Sequence, residues 1–124
     1  MKGYSAKVVE SSIELTPKQK VILKDLSDAI QLDTATDMGE VIINPDFYAV
    51  VQVHNEKSDT KDYEKYVIVD KTGEKYVTGS EAFWSSFTDI MADMADSTEE
   101  WELKCYKLPS KNFKGKGFLT CSVM

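Results

Sequence analysis

The stretch that most narrows the choice of fold is residues 101–124, WELKCYKLPSKNFKGKGFLTCSVM. Two runs of alternating apolar and polar residues flank a segment rich in Lys, Gly, Pro and Asn. Alternation at period two marks a half-buried strand, and a turn-rich gap between two such runs marks a hairpin. In the first run Trp101, Leu103 and Cys105 fall on one face, with Lys104 and Tyr106 on the other. In the second, Leu119, Cys121 and Val123 oppose Phe118, Thr120 and Ser122. Between them lie Lys107, Lys111, Lys114 and Lys116, with Phe113 in their midst. This basic loop carries an aromatic ring in a chain whose net charge is −6. It is the stretch whose composition suggests a ligand.

At 124 residues the chain reads as one domain, 1–124, able to bury a core without disulfide or metal staples. Its fifteen basic residues are all Lys, set against twenty-one acidic ones. An acidic balance argues against coating the whole surface with a polyanion but leaves room for one basic groove. Without Arg, no guanidinium fork is present to read guanine edges, so any nucleic-acid contact rests on point charge and stacking. The first dozen residues lack the apolar core of a signal peptide, and no window approaches a membrane span. The expectation is a cytoplasmic protein with no membrane partner. Cys105 and Cys121 lie on opposite arms of the hairpin and read as reduced, buried thiols. With His54 as the sole histidine there is no four-ligand zinc set, and neither metal nor cofactor is expected.

Residues 4–15 alternate in part (Ala6, Val8; Ile13, Leu15) and read as an opening strand. Residues 17–32 carry two signals. Thr16 before Pro17 suits a helix start, and Ile22, Leu26, Ala29 and Ile30 keep helical spacing. Val21, Ile22 and Leu23 form a compact run rich in β-branched residues, with LSDA as a turn back through Ile30 and Leu32. Periodicity does not arbitrate so short a segment; a β-hairpin is the preferred expectation. Residues 47–54, FYAVVQVH, are nearly continuously apolar, as in a central strand. A charged loop, NEKSDTKDYE, then separates them from YVIVD and a further strand at 75–78, with Gly73 in the turn.

The period then changes. Ser80 is a candidate N-cap with Glu81 in the favourable first turn, and Phe83, Phe87, Ile90, Met91 and Met94 line one helical face beside Trp84. The helix is predicted over about residues 80–95. Asp89 and Asp93 lie on its solvent side. Strands, one helix, then a closing hairpin predict a mainly β, β-rich α+β fold. The order matches an OB-like Greek-key barrel. An α+β sheet with a helix across it would fit the same string. Enzymatic motifs are absent: Gly115-Lys116-Gly117 lacks the spacing and hydroxyl residue of a phosphate loop, and any triad would need His54 as its base. A non-enzyme is expected.

Over about residues 39–124 the order of motifs resembles the small single-stranded DNA-binding proteins of protein-primed phages and related mobile elements. The resemblance follows GEVIINPDFYAVVQV, a polar loop, a strand closed by Asp70 and Gly73, the Tyr76 strand leading into a helix with Asp89-Ile90, and the alternating last hairpin with its Lys-Gly loop. Those relatives carry a strand pair about where KVILKDLSDAIQLD lies, which is why a hairpin is preferred there. The resemblance implies an OB-like barrel that coats DNA replication intermediates in the bacterial cytoplasm without reading sequence. It would act alone, as an oligomer, or with replication proteins.

Such binding needs a positive groove along the backbone and aromatic faces for bases, each stack contributing about 1–3 kcal/mol. Lys104, Lys107, Lys111, Lys114 and Lys116 are the candidate phosphate contacts. Tyr106, Phe113 and Phe118 are the candidate stacking faces, with Tyr48 and Tyr66 added if their sheet face is open. The alternative reading is a small phage-type protein-binding module or inhibitor. Its acidic surface, residues 93–102, would meet a basic partner with Trp101 as the anchor.

Overall fold

The computed structural model describes residues 4–55, 62–109 and 117–124. Its elements are β1 (Tyr4–Ser11), α1 (Pro17–Lys24), β2 (Ile30–Gln31), α2 (Leu32–Ala35), β3 (Val41–Ile43) and β4 (Pro45–Asn55). There follow β5 (Asp62–Asp70), β6 (Lys75–Thr78), α3 (Glu81–Met94), β7 (Leu103–Pro109) and β8 (Gly117–Val123). The protein is mainly β with a minor helical share, as the sequence predicts. Among the described residues the strands form two sheets and close no barrel, an arrangement of the β-rich α+β class. By contacts the chain divides into two compact units that alternate along the sequence. One comprises Met1–Ile30 with Asp46–Gly79, the other Gln31–Pro45 with Ser80–Met124.

The first unit is built on the sheet ordered β1-β4-β5-β6-β2. The run expected to be central, β4, is flanked on both sides, by β1 and β5. Ala49, Val51 and Val53 alternate into its core beside Val67, Val69 and Val77, and Leu23 of α1 packs into the same cluster with Leu26. The register of β1 on β4 slips between Val8 and Glu10, a bulge that breaks the regularity of an edge strand. Between β5 and β6, Gly73 adopts φ +93 and donates to the Asp70 carbonyl at 2.8 Å, a conformation that glycine takes without a Cβ penalty.

The preferred hairpin at residues 17–32 is corrected here: residues 17–24 are helical. Thr16 and Gln19 form a reciprocal capping box, the Gln19 N–H donating to Thr16 Oγ1 at 3.2 Å and the Thr16 N–H to Gln19 Oε1 at 2.8 Å. Pro17 occupies the first turn, where its missing N–H costs nothing. The β-branched run that suggested a strand does not enter the core as a strand would. Val21 and Ile22 are exposed, and Leu23 alone is buried. From the distant strand β6, the Lys75 ammonium donates to the carbonyls of Ile22 (2.9 Å) and Asp25 and pairs with Asp28 at 2.8 Å. It thereby closes the C-terminal end of α1.

The second unit joins the sheet β3-β7-β8 to α3, which packs against β8. Ser80 caps α3, accepting from the Phe83 N–H at 3.2 Å. Phe83 and Phe87 are buried as the helical stripe predicts, their rings stacked with centroids 6.2 Å apart, and Trp84 stacks on Phe87 at 4.9 Å. Asp89 and Asp93 are exposed, on the side expected to face solvent.

Candidate nucleic-acid interface

The closing hairpin forms as the alternation predicts. Its register pairs Leu103 with Val123, Cys105 with Cys121, Tyr106 with Thr120 and Leu108 with Phe118. Directly opposed residues of an antiparallel pair point to the same side of the sheet. One face therefore carries Leu103, Cys105, Leu119 and Cys121, all buried. The third strand adds Val41 and Ile43 to this face, opposite Cys105 and Leu103.

The other face is open. Lys104, Tyr106 and Leu108 on β7 meet Ser122, Thr120 and Phe118 on β8, and Ile42 of β3 lies opposite Lys104. Phe118 is 49% exposed, Leu108 41% and Ile42 37%. Tyr106 and Phe118 occupy diagonal positions across the two strands, a spacing of about 7–8 Å between Cα atoms. The Lys104 ammonium stands 5.1 Å from the centroid of the Tyr106 ring and 3.8 Å from Glu40 Oε1. Its side chain is 31% exposed. The arrangement is a shallow platform of two rings and two aliphatic side chains, with one ammonium held at its edge by a ring and a carboxylate.

Lys107 is placed differently. Its ammonium donates to the Asp33 carbonyl at 2.6 Å and pairs with Asp37 at 2.5 Å, tying β7 to the segment around α2. A cation held by two short contacts is a fastener, poorly suited to the phosphate contact first expected of it. Tyr66 is 7% exposed, so no ring face there is open for stacking; this candidate is corrected. Tyr48, half-buried on β4, belongs with Tyr66 to the other unit. Lys111, Phe113, Lys114 and Lys116 lie outside the described residues, as does most of the charged loop before β5.

Sequence reasoning missed Glu40, Ile42 and Leu108 as members of this face. Leu108 was legible from its alternation with Lys104 and Tyr106. Glu40 and Ile42 join only through the pairing of β3 with β7, which no local pattern announces.

Two other features of the sequence reading take shape. His54 Nδ1 stands 2.7 Å from Asp62 Oδ1, beside an open cleft of about 340 Å³ lined also by Ser5, Lys7 and Gln52. The contact fixes the orientation of the imidazole and gives the lone histidine a structural partner. In the second unit every charged residue between positions 81 and 102 is acidic. Asp93, Asp96, Glu99, Glu100 and Glu102 are all exposed, while Trp101 is half-buried.

Comparison with family models, with curated proteins and with solved structures returns no match.

Proposed function

We propose that this chain is a sequence-independent single-stranded DNA-binding protein of the phage or mobile-element type, acting on replication intermediates. In this reading its β-rich architecture is an OB-like arrangement. The observation that carries the proposal is the open face of β3-β7-β8, where Tyr106 and Phe118 stand diagonal to one another beside Lys104. An exposed ring such as Phe118, with the half-buried Tyr106 diagonal to it, accepts any base, because every base has a π-face, and a nearby ammonium takes the phosphate without reading sequence. The absence of Arg fits a binder that stacks and screens and does not fork onto guanine. Hairpin strands that present the rings lead directly into Lys111, Lys114 and Lys116, which in this reading continue the phosphate path.

The test is fluorescence anisotropy with a labelled thymine oligonucleotide of about thirty bases, long enough for several site sizes, titrated across salt with a duplex competitor. Tight binding that salt weakens and duplex does not displace supports the proposal. Changing Lys111, Lys114 and Lys116 together to Gln should reduce the salt slope by about 2, at roughly 0.7 for each lost contact. Absence of binding at low salt defeats it. The second reading, a protein-binding module, then takes over. Its specific support is the run of exposed carboxylates over residues 93–102 around Trp101.

A further inference from the structure

Lys104 and Lys107 are two residues of one face-alternating strand, yet their ammonium groups are held with very different firmness. Lys107 makes two contacts, at 2.5 and 2.6 Å, to a carboxylate and a carbonyl. Among the described residues Lys104 pairs with the Glu40 carboxylate at 3.8 Å, near the outer limit of an ion pair, and the Glu40 side chain is 60% exposed. An exposed pair of that length is readily exchanged, because water and salt screen most of its attraction.

Position makes the exchange matter. Glu40 precedes β3 by one residue and lies two before Ile42, the cross-strand partner of Lys104. By strand alternation it stands on the side of the open aromatic face. A base stacked on Tyr106 would bring its own phosphate toward the ammonium that sits over that ring. The Glu40 carboxylate already stands beside that ammonium.

We infer that Glu40 is a built-in competitor for the phosphodiester: it holds Lys104 over the Tyr106 ring in the free protein and gives it up when a strand binds. This rests on the single-strand reading above and names a contact that tunes its affinity. In the free state the carboxylate keeps the ammonium compensated and positioned. On binding, the phosphate takes the ammonium, and Glu40 is left as a negative charge beside a polyanion. The energetic cost of that displacement reduces affinity, and the freed carboxylate offsets part of the counterion release.

The test compares wild type, Glu40→Gln, Lys104→Gln and the double variant by anisotropy with the same thymine oligonucleotide at several salt concentrations. Glu14→Gln, an exposed acid of the other unit, serves as the charge-matched control. Glu40→Gln should bind about two- to fivefold more tightly at low salt, the range an exposed ion pair of this kind is worth. Its salt slope should steepen by up to about 0.7, one further phosphate contact. In the Lys104→Gln background the same change should gain no more than the Glu14→Gln control. A Glu40→Gln protein that binds like wild type overturns the inference, and so does a gain that persists undiminished without Lys104. Failure of the wild type itself to bind defeats the single-strand reading, which separates the two outcomes.

Discussion

Cys105 and Cys121 are direct cross-strand partners on β7 and β8, both thiols free and both buried on the inner face of the sheet. Burial pushes the Cys105 thiol up to about 12, with its neighbour Cys121 adding to the effect, and pushes Cys121 up to about 11. The thiolate is the reactive form, so both groups should resist a disulfide-forming colorimetric reagent in the folded protein and react at once in urea. Rapid labelling of the native protein at mild pH would contradict this packing.

The same shifts set an alkaline limit. The folded-state values lie above the ordinary thiol value of 9.0, so the unfolded chain loses its thiol protons first. Below about pH 9 the folded state is not penalised. As pH rises through 9 toward 11 and 12 the unfolded chain binds fewer protons, and stability falls. Urea midpoints measured from pH 7 to 10.5 should decline, and the Cys105→Ala/Cys121→Ala protein should show a shallower decline.

Lys75 is 6% exposed and spans from β6 to the end of α1, where it satisfies two carbonyls and pairs with Asp28. Lys75→Met keeps the aliphatic stem but removes the ammonium from both carbonyls, leaving that of Ile22 with only the Asp25 N–H at 3.2 Å. Removing one partner of a buried hydrogen-bonded group costs about 1–3 kcal/mol, and more where charge is involved. A loss of about 2–3 kcal/mol in urea unfolding is expected, with amide exchange accelerated first in α1. A change below about 0.5 kcal/mol, the size of an ordinary surface substitution, would show that the helix closes without it.

Thr16 and Ser80 cap α1 and α3. Each substitution to Ala should cost about 1 kcal/mol, and because the caps are in different units the double variant should lose the sum. Circular dichroism of Thr16→Ala should show a loss of helix and no gain of strand. A gain of strand would revive the hairpin for residues 17–32.

Phe118 and Lys107 separate platform from fastener. Phe118→Ala removes a half-exposed ring, so stability should change little while single-strand affinity falls by about 1–3 kcal/mol with an unchanged salt slope. Lys107→Gln should do the reverse, lowering the urea midpoint while moving the salt slope by much less than the 0.7 or so of one phosphate contact. A full unit-contact loss of slope in Lys107→Gln would mean that Asp37 releases it to the strand.

Alternation and helical spacing determined by themselves the closing hairpin with its two faces, the strands around FYAVVQVH and YVIVD, the turn at Gly73 and the helix that buries Phe83 and Phe87. Each is written locally, in periods of two or 3.6 residues and in caps and turn residues. Thr16-Pro17 was legible as a helix start, but the β-branched run behind it pointed the other way. The choice was decided by the Gln19 half of the capping box and by an ammonium arriving from residue 75. Likewise the open face of the candidate interface could be read for Lys104, Tyr106 and Phe118, whereas Glu40 and Ile42 belong to it only because β3 pairs with β7. The burial of Tyr66 and the fastening of Lys107 to Asp33 and Asp37 are of the same kind. Contacts between residues tens of positions apart leave no local period, so the tertiary structure alone could decide which lysine is tied and which ring is open.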